Sequence, residues 1–588
     1  MKRFAIYILA AGLTFQLASC QKDILDQTPE TSLSDVEFWK SSNDLKLYAN
    51  NFYDAMFPAY TDYGTLGIFS EDANTSDNMI GNGYSTVLNG ETVLPGSGAG
   101  WAYEDWQQLR NINYFLTNYS KVDATPETVN PYVGEVLFFR AMFYFDKLKK
   151  FGDLPWISTV LEPNSPEVFA GRLPRNVIVD SIMNDLDKAV NYLPTHSSAQ
   201  PSRINKEVAQ LLQARIALYE GTWERYHAGT AFGVEGSDGT VFIEKAAAVS
   251  EALVSNSGGY GLIETPGEMG YWNIFNQVDY SNNPEVMLWR AYDLNQTAVH
   301  RWHSYSIGGA GIGITKDMMD AYLCVDGKPI AVSKLYKGDN TLLDAAANRD
   351  PRLRQSVYIP DEKHIITENK PGGAAAVLFQ RPAFVGPATE VSSTGYQVYK
   401  GHSAEYSQQQ GQSTTGLILF RYAEALLIYA EAKTELGTFN QADADISINL
   451  LRRRVGMPDL KVGAIVADPN QEFPNISSLL NEIRRERRVE LAFEGYRGDD
   501  LHRWAAMGLK IKGWKPLGAK KAQWAGQYDE GALDAYPVNA DGYIEFFQKV
   551  GNMPDGYKFN EKRDYLSPIP LDQITLNKDN IYQNPGWN

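Results

Sequence analysis

The sequence predicts a mainly α protein in which a helical-repeat scaffold carries a large irregular, loop-rich face with little β structure. Three observations lead to that class. Apolar residues recur with helical period in stretches separated by Gly and Pro signals. Segments 60–100, 256–315 and 325–414 are rich in Gly, Asn, Ser, Thr and Tyr and lack that period. They are longer than ordinary connections, the length at which loops are commonly functional. Finally, Cys20 and Cys324 are the only cysteines, so a chain of 588 residues, 44% of them hydrophobic, is stabilised by core burial without an intrachain disulfide.

At the N-terminus, Lys2 and Arg3 precede an apolar run at 4–15 that is too short to span a bilayer and reads as a secretory signal. The run ends in Leu17-Ala18-Ser19-Cys20, which resembles the lipobox of bacterial lipoproteins, where small residues admit the peptidase and the thiol takes a diacylglycerol. Residues 1–19 are thus the expected lipoprotein signal peptide. Cys20 is the expected lipidated first residue of the mature chain, and 20–34, polar and broken by Pro29, the tether. A cysteine with ester and amide chains holds far more firmly than a single acyl chain, so the protein is expected to be anchored to a membrane without spanning it. Cleavage removes Lys2 and Arg3 and no acid, leaving 52 basic against 71 acidic residues, a net −19. Such a surface repels phosphate, which argues against nucleic acid as a partner and anionic lipid as a second anchor.

The helical elements follow in order. Residues 135–150 are apolar round much of the circumference and stop at Gly152 with Pro155 beyond, as a buried helix would. Residues 178–193 place Ile178, Ile182, Leu186 and Ala189 on one face, and 206–220 do the same with Val208, Leu211, Leu212 and Ile216. Within 422–454, Leu436-Gly437-Thr438-Phe439 with Ala442 resembles the turn of a tetratricopeptide hairpin: glycine closes one helix, the aromatic packs back, and alanine admits the next helix. A weaker echo spans 209–254, interrupted by a Gly-rich insert at 228–240. With 101–151 and 175–193, these hairpins predict a short repeat scaffold.

No GxSxG, P-loop, HExxH or Rossmann glycine pattern is present. Glu486, Glu490 and Glu494 are spaced for one helix face, with Arg487 and Arg497 near enough to pair. General acid/base work needs carboxylates on opposite sides of a substrate, so these acids are expected to hold the fold. His300 and His303, the one close histidine pair, have no evident third ligand, and no metal site or cofactor is expected. Recognition of a polar ligand with flat apolar faces needs aromatic side chains beside amide or carboxylate groups. Loop 71–106 offers Asp77, Asn78, Asn82, Tyr84 and Trp101 for that task, and loop 292–314 offers Trp302 and Tyr305. For Trp101, Trp106 and Trp272 a core role competes, since each adjoins apolar stretches.

Four segments carry a more specific signal. They are Leu137-Phe138-Phe139-Arg140-Ala141-Met142-Phe143-Tyr144-Phe145 running to Phe151-Gly152-Asp153-Leu154-Pro155; Arg421-Tyr422-Ala423-Glu424 to Ala430-Glu431-Ala432; Ile483 to Arg497 with Asp500-Leu501 and Arg503-Trp504; and Pro568-Ile569-Pro570 with Gln583-Asn584-Pro585-Gly586-Trp587. In this order they resemble the SusD/RagB family of outer-membrane nutrient-binding lipoproteins. The resemblance implies about four tetratricopeptide-like helix pairs, with an N-terminal region 35–255 and a C-terminal region 256–588 packed as one body. It also implies a glycan ligand, a SusC-like TonB-dependent transporter over which the protein acts as a lid, and a place at the outer membrane facing the exterior. The family's binding residues lie in loops without a fixed motif, so none is carried over. No catalytic residue is expected. The rival readings are peptide capture within the same family and a lipid-anchored glycosidase.

Overall fold

The computed structural model describes residues 38–60, 73–264, 268–359 and 391–587, apart from positions 297, 307, 404, 410, 527–530, 532, 535, 548, 549 and 578, and it adds the strands at 366–369 and 375–379. The expected signal, Cys20 and tether lie outside the described residues.

The longer helices are α1 (Ser42–Met56), α2 (Tyr103–Asn118), α3 (Pro126–Phe151), α4 (Arg175–Tyr192), α5 (Lys206–Tyr226), α6 (Thr240–Ser255), α7 (Tyr422–Glu435), α8 (Ser478–Glu490) and the shorter α9 (Arg497–Arg503) and α10 (Leu571–Leu576). They pack as a chain of neighbours: α3 against α1, α2 and α4, then α4 on α5, α5 on α6, α6 on α7 and α7 on α8. The strands are β1 (Met79–Gly81), β2 (Val286–Arg290), β3 (Ile312–Ile314), β4 (Ile366–Asn369), β5 (Ala375–Phe379), β6 (Leu417–Arg421), β7 (Leu517–Lys520) and β8 (Tyr543–Glu545). Each joins one antiparallel partner, β1 with β3, β2 with β6, β4 with β5 and β7 with β8. The protein is mainly helical, as its periodicity predicts, and its strands only pin loops together.

α3 begins nine residues before the stretch read as helical, because Pro126 occupies its first turn, where a missing N–H costs nothing. The helix continues through Pro131 and stops at Gly152, which adopts φ +70° and donates its N–H to the Leu148 carbonyl at 2.9 Å. The return limb of the hairpin after Gly437 is split in two, Gln441–Asp445 and Ile448–Arg454, with Ser447 at non-helical angles between them. Between α5 and α6 the Gly-rich insert folds back so closely that a Cβ on Gly239 would lie 1.8 Å from the Gly221 carbonyl oxygen. One hydrophobic core draws on residues from Trp39 to Ile581. A second lies under the loop-rich half and includes Tyr60, Met79, Tyr292, Trp302, Ile314, Tyr396 and Phe493.

An ion network joins these halves. α8 ends at Glu490, so Glu494 stands on the following turn and not on the helix face expected for all three glutamates. The Glu490 carboxylate accepts from Arg421, Arg454 and Arg352 at 2.7, 2.6 and 2.9 Å. Glu486 pairs with Arg452 and Arg352, and Glu494 with Arg421 and Lys400. The glutamates do hold the fold, but their partners are distant in sequence. Arg487, expected beside them, pairs with Asp500, and Arg497 pairs with Asp77.

Candidate functional site

A groove of about 900 Å³ is lined by α2, by residues 155–170 after α3, and by α10 with residues 577–581. Its walls are set by buried polar clamps. Leu154 and Leu173 exchange backbone hydrogen bonds at 3.2 and 2.8 Å, closing the loop at its stem. Inside the stem, the buried Arg172 donates to the carbonyls of Phe151, Asp153 and Tyr582 and to the Asn584 Oδ1 at 2.6 to 2.9 Å. Asn584 in turn donates to Phe151 and Ser567, so the C-terminal motif is locked onto the end of α3.

The rest of the loop is held against α2 and α3. Trp156 stacks on Tyr144 with centroids 4.2 Å apart, and the Tyr144 hydroxyl bonds the Ile157 backbone. Asn113 donates to the Ile157 and Thr159 carbonyls at 3.0 and 3.1 Å and accepts from Arg140 at 3.2 Å. Arg140 is itself fixed by a two-pronged pair with Asp185 at 2.6 and 2.7 Å. Two of the four motif segments therefore serve as the foundation of this groove.

Onto that frame the chain mounts aromatic and apolar surface. Tyr103, Phe169 and Leu576 are 71%, 61% and 73% exposed, with Val168 beside Phe169. Behind them Trp101 packs on Trp106 and Phe151, each with centroids 5.4 Å away. The Lys147 ammonium lies 5.2 Å from the Trp106 ring centre and donates to the Gly100 carbonyl, and burial pushes its pKa down to about 8. Solvated aromatic faces in a concave site, with amides and carboxylates round them, are what a sugar ring needs for stacking and hydroxyl recognition. The polar lining includes Gln107, Arg110, Asn113, Thr159, Glu162, Glu167, Gln573 and Asn577.

The residues expected at the ligand are dispersed. Trp101 reaches this groove. Asp77 is fully buried, its carboxylate accepting from Arg497 at 2.7 and 3.0 Å with Arg488 and Lys510 at 3.4 Å. Burial works to raise its pKa, and these three cations hold it well below the usual carboxylate range. Asn78 is buried beside it and accepts from Arg488 at 2.8 Å. Both side chains are thus committed inside the fold, away from a surface ligand. Trp302 is 2% exposed and stacks on Tyr60 within the second core, which likewise withdraws it from the surface. Asn82 is exposed, and Tyr84 is half-buried, donating to Glu91 and accepting from Asn552 at 2.9 Å. Tyr305 is half-buried against the second core. Composition does not separate a loop tyrosine from a core tryptophan, because both fates suit an amphipathic ring. Tyr103, Phe169, Gln573 and Asn577 also line the groove, and none of them is among the residues the sequence points to. The available signal was the apolar pair Val168-Phe169 inside the polar, Pro-containing stretch 162–171.

His300 and His303 are buried. His300 bonds the Thr415 carbonyl through Nε2 and accepts the Trp302 N–H at Nδ1; His303 bonds the Thr415 hydroxyl and accepts the Ser403 N–H. Each neutral ring is thereby used twice. Among the described residues no group of three or more His, Cys, Asp or Glu side chains is placed to hold a metal ion, and no helix is long and apolar enough to cross a membrane.

Residues 273–587 match the model of the SusD family, and residues 23–218 match a model described as starch-binding and associating with the outer membrane. Two SusD-like proteins of Formosa agariphila, P38 and P2, are each 24% identical, the first over 83% of this chain and 88% of its own length, the second over the whole of both. A SusD-like carbohydrate-binding protein from Bacteroides fragilis superposes with a TM-score of 0.70 at 20% identity, covering 92% of this chain and 99% of the other. A laminarin-binding SusD-like protein superposes with a TM-score of 0.55 at 20% identity, covering 93% and 100%.

Proposed function

The chain belongs to the SusD family, and from that premise we propose that it captures an extracellular glycan and delivers it to a SusC-like TonB-dependent transporter. No bond is broken in that task. The observation that carries this reading is the groove of about 900 Å³ with Tyr103 and Phe169 presented to solvent over a rigid, motif-built frame. Exposed aromatic surface of this kind marks a recognition site. Names of relatives support the ligand class, since one solved neighbour is a carbohydrate-binding protein and another binds laminarin. In this reading Cys20 carries the lipid that keeps the protein at the outer membrane beside its transporter. Trp101 forms the back of the sugar site, while Asn82, Tyr84 and Tyr305 form further contacts on the loop-rich face.

Affinity electrophoresis of the lipid-free protein against a polysaccharide panel tests capture. The expected result is retardation by at least one glycan, weakened in Phe169→Ala and Tyr103→Ala. Retardation that survives both substitutions moves the site to the loop-rich face, where Tyr84→Ala and Tyr305→Ala are the next variants. Binding of mixed peptides with no glycan retarding the protein replaces the ligand class. Release of reducing sugar on incubation with polysaccharide replaces capture by hydrolysis. Loss of membrane association in Cys20→Ala is the outcome expected of the anchor.

A further inference from the structure

Resting on the capture reading, we propose that the groove selects an uncharged glycan and rejects sulfated and uronic acid polymers. The polar groups left for a ligand decide this. Asn113 spends its amide nitrogen on the two loop carbonyls, and its oxygen accepts from Arg140. Gln107 spends one N–H on Asn111 at 2.9 Å and keeps its carbonyl oxygen, and Asn577 accepts from Asn580 at 3.0 Å and keeps its amide nitrogen. Gln573 lines the groove with a side-chain amide that makes no bond among the described residues. Amide donors and acceptors of this kind match the hydroxyls of a neutral sugar, each of which both donates and accepts.

The charged groups point the same way. Glu162 and Glu167 line the groove with carboxylates uncommitted among the described residues, and Glu104 and Asp105 follow Tyr103 in the first turn of α2. Ionised carboxylates only accept, so they take hydroxyl protons readily and repel a sulfate or a uronate. Against them the lining offers one guanidinium, Arg110, which already gives one nitrogen to the Leu161 carbonyl at 2.7 Å. Recognition of a sulfated or uronic polymer relies on clustered arginine forks, which this lining lacks. A mature net charge of −19 adds a repulsive field at longer range.

The test is affinity electrophoresis in 0.15 M salt against laminarin, dextran and galactomannan, set beside laminarin sulfate, dextran sulfate, alginate and polygalacturonate. The expected result is retardation by at least one neutral polymer, with any sulfated counterpart at least tenfold weaker and both polyuronates inactive. The Glu162→Lys/Glu167→Lys double variant is expected to gain retardation by laminarin sulfate. An anionic polymer that retards the protein as strongly as the best neutral one overturns the charge selection and leaves glycan capture standing. A double variant that gains nothing also overturns it. Retardation by no polymer at all brings down capture and selection together.

Discussion

Substituting Glu490 by Gln removes one negative charge from the ion network while keeping side-chain size. In the native protein burial works to raise the pKa of this carboxyl, and Arg454, Arg421 and Arg352 together hold it well below the usual range. The amide keeps one acceptor oxygen, but its N–H₂ faces guanidinium donors at positions where 2.6 to 2.9 Å bonds were made. Removing one partner of a buried ionic cluster costs about 3 to 5 kcal/mol, because charges stay buried without compensation. At about 2 cal/mol/K of unfolding entropy per residue, a loss of about 4 kcal/mol lowers the Tm of a chain this long by about 3 °C. Near-UV circular dichroism during thermal unfolding reads this directly. The control is Glu561→Gln, which breaks the exposed pair with Lys512 at 2.8 Å and is expected to move Tm by less than about 1 °C. Equal, small shifts in both variants would refute the claim that the network fastens the loop-rich half to the helical body.

Three further outcomes are expected. Phe169→Ala and Tyr103→Ala each weaken glycan retardation about fivefold to tenfold, the equivalent of about 1 kcal/mol of lost stacking, with Tm unchanged within about 1 °C because both rings are largely exposed; a Tm drop without a binding change would assign them to packing instead. Arg172→Met leaves acceptors in the loop stem unpaired, at about 3 kcal/mol, and is expected to expose residues 155–170 to limited proteolysis while glycan retardation falls; a loop that stays protease-resistant sinks the idea of a clamp. Acidification from about pH 7.5 to about pH 5.5 is expected to destabilise the protein. Burial pushes His227 and His402 down to about 3 and His300 to about 4, and it lowers His303 also. These rings stay neutral in the fold while the unfolded chain takes up protons below about pH 6.5, so their contribution is full above that pH and is lost as pH falls toward the folded values. Four histidines at about 1.4 kcal/mol each outweigh the roughly 2 kcal/mol returned by Glu224, whose carboxyl burial pushes up to about 7. The net loss of about 3.6 kcal/mol appears as a Tm lower by about 3 °C at the acid pH, and an equal or higher Tm there contradicts it.

Local pattern reached a long way into this fold. Helices α3 to α7 follow from apolar spacing with Gly and Pro stops, because backbone hydrogen bonding within a helix is satisfied over four residues and leaves a periodic mark. Glu486, Glu490 and Glu494 were legible as fold-holding groups because carboxylates strung along one segment do not stand on opposite sides of a substrate and arginines lie close by to pair. Their partners were not. Arg497 and Asp77 stand 420 positions apart, and no local rule relates them. That same pairing is why Asp77, which composition places with ligand groups, belongs to the interior.

By itself the sequence carried the helical class and the four ordered motifs whose family resemblance the comparisons bear out, and it raises the expectation of export and lipidation at Cys20. These depend on short-range spacing or on chemistry at one position. Only the tertiary structure decided which loop aromatics face water and where the groove opens, since residues 103–113, 155–170 and 573–581 become neighbours only when α2, the end of α3 and the C-terminal tail meet. Exposure is a property of that meeting: Phe169 stands open because its loop stem is held out by Arg172, while Trp302 is covered by Tyr60, and neither fact is written in the residues that flank them.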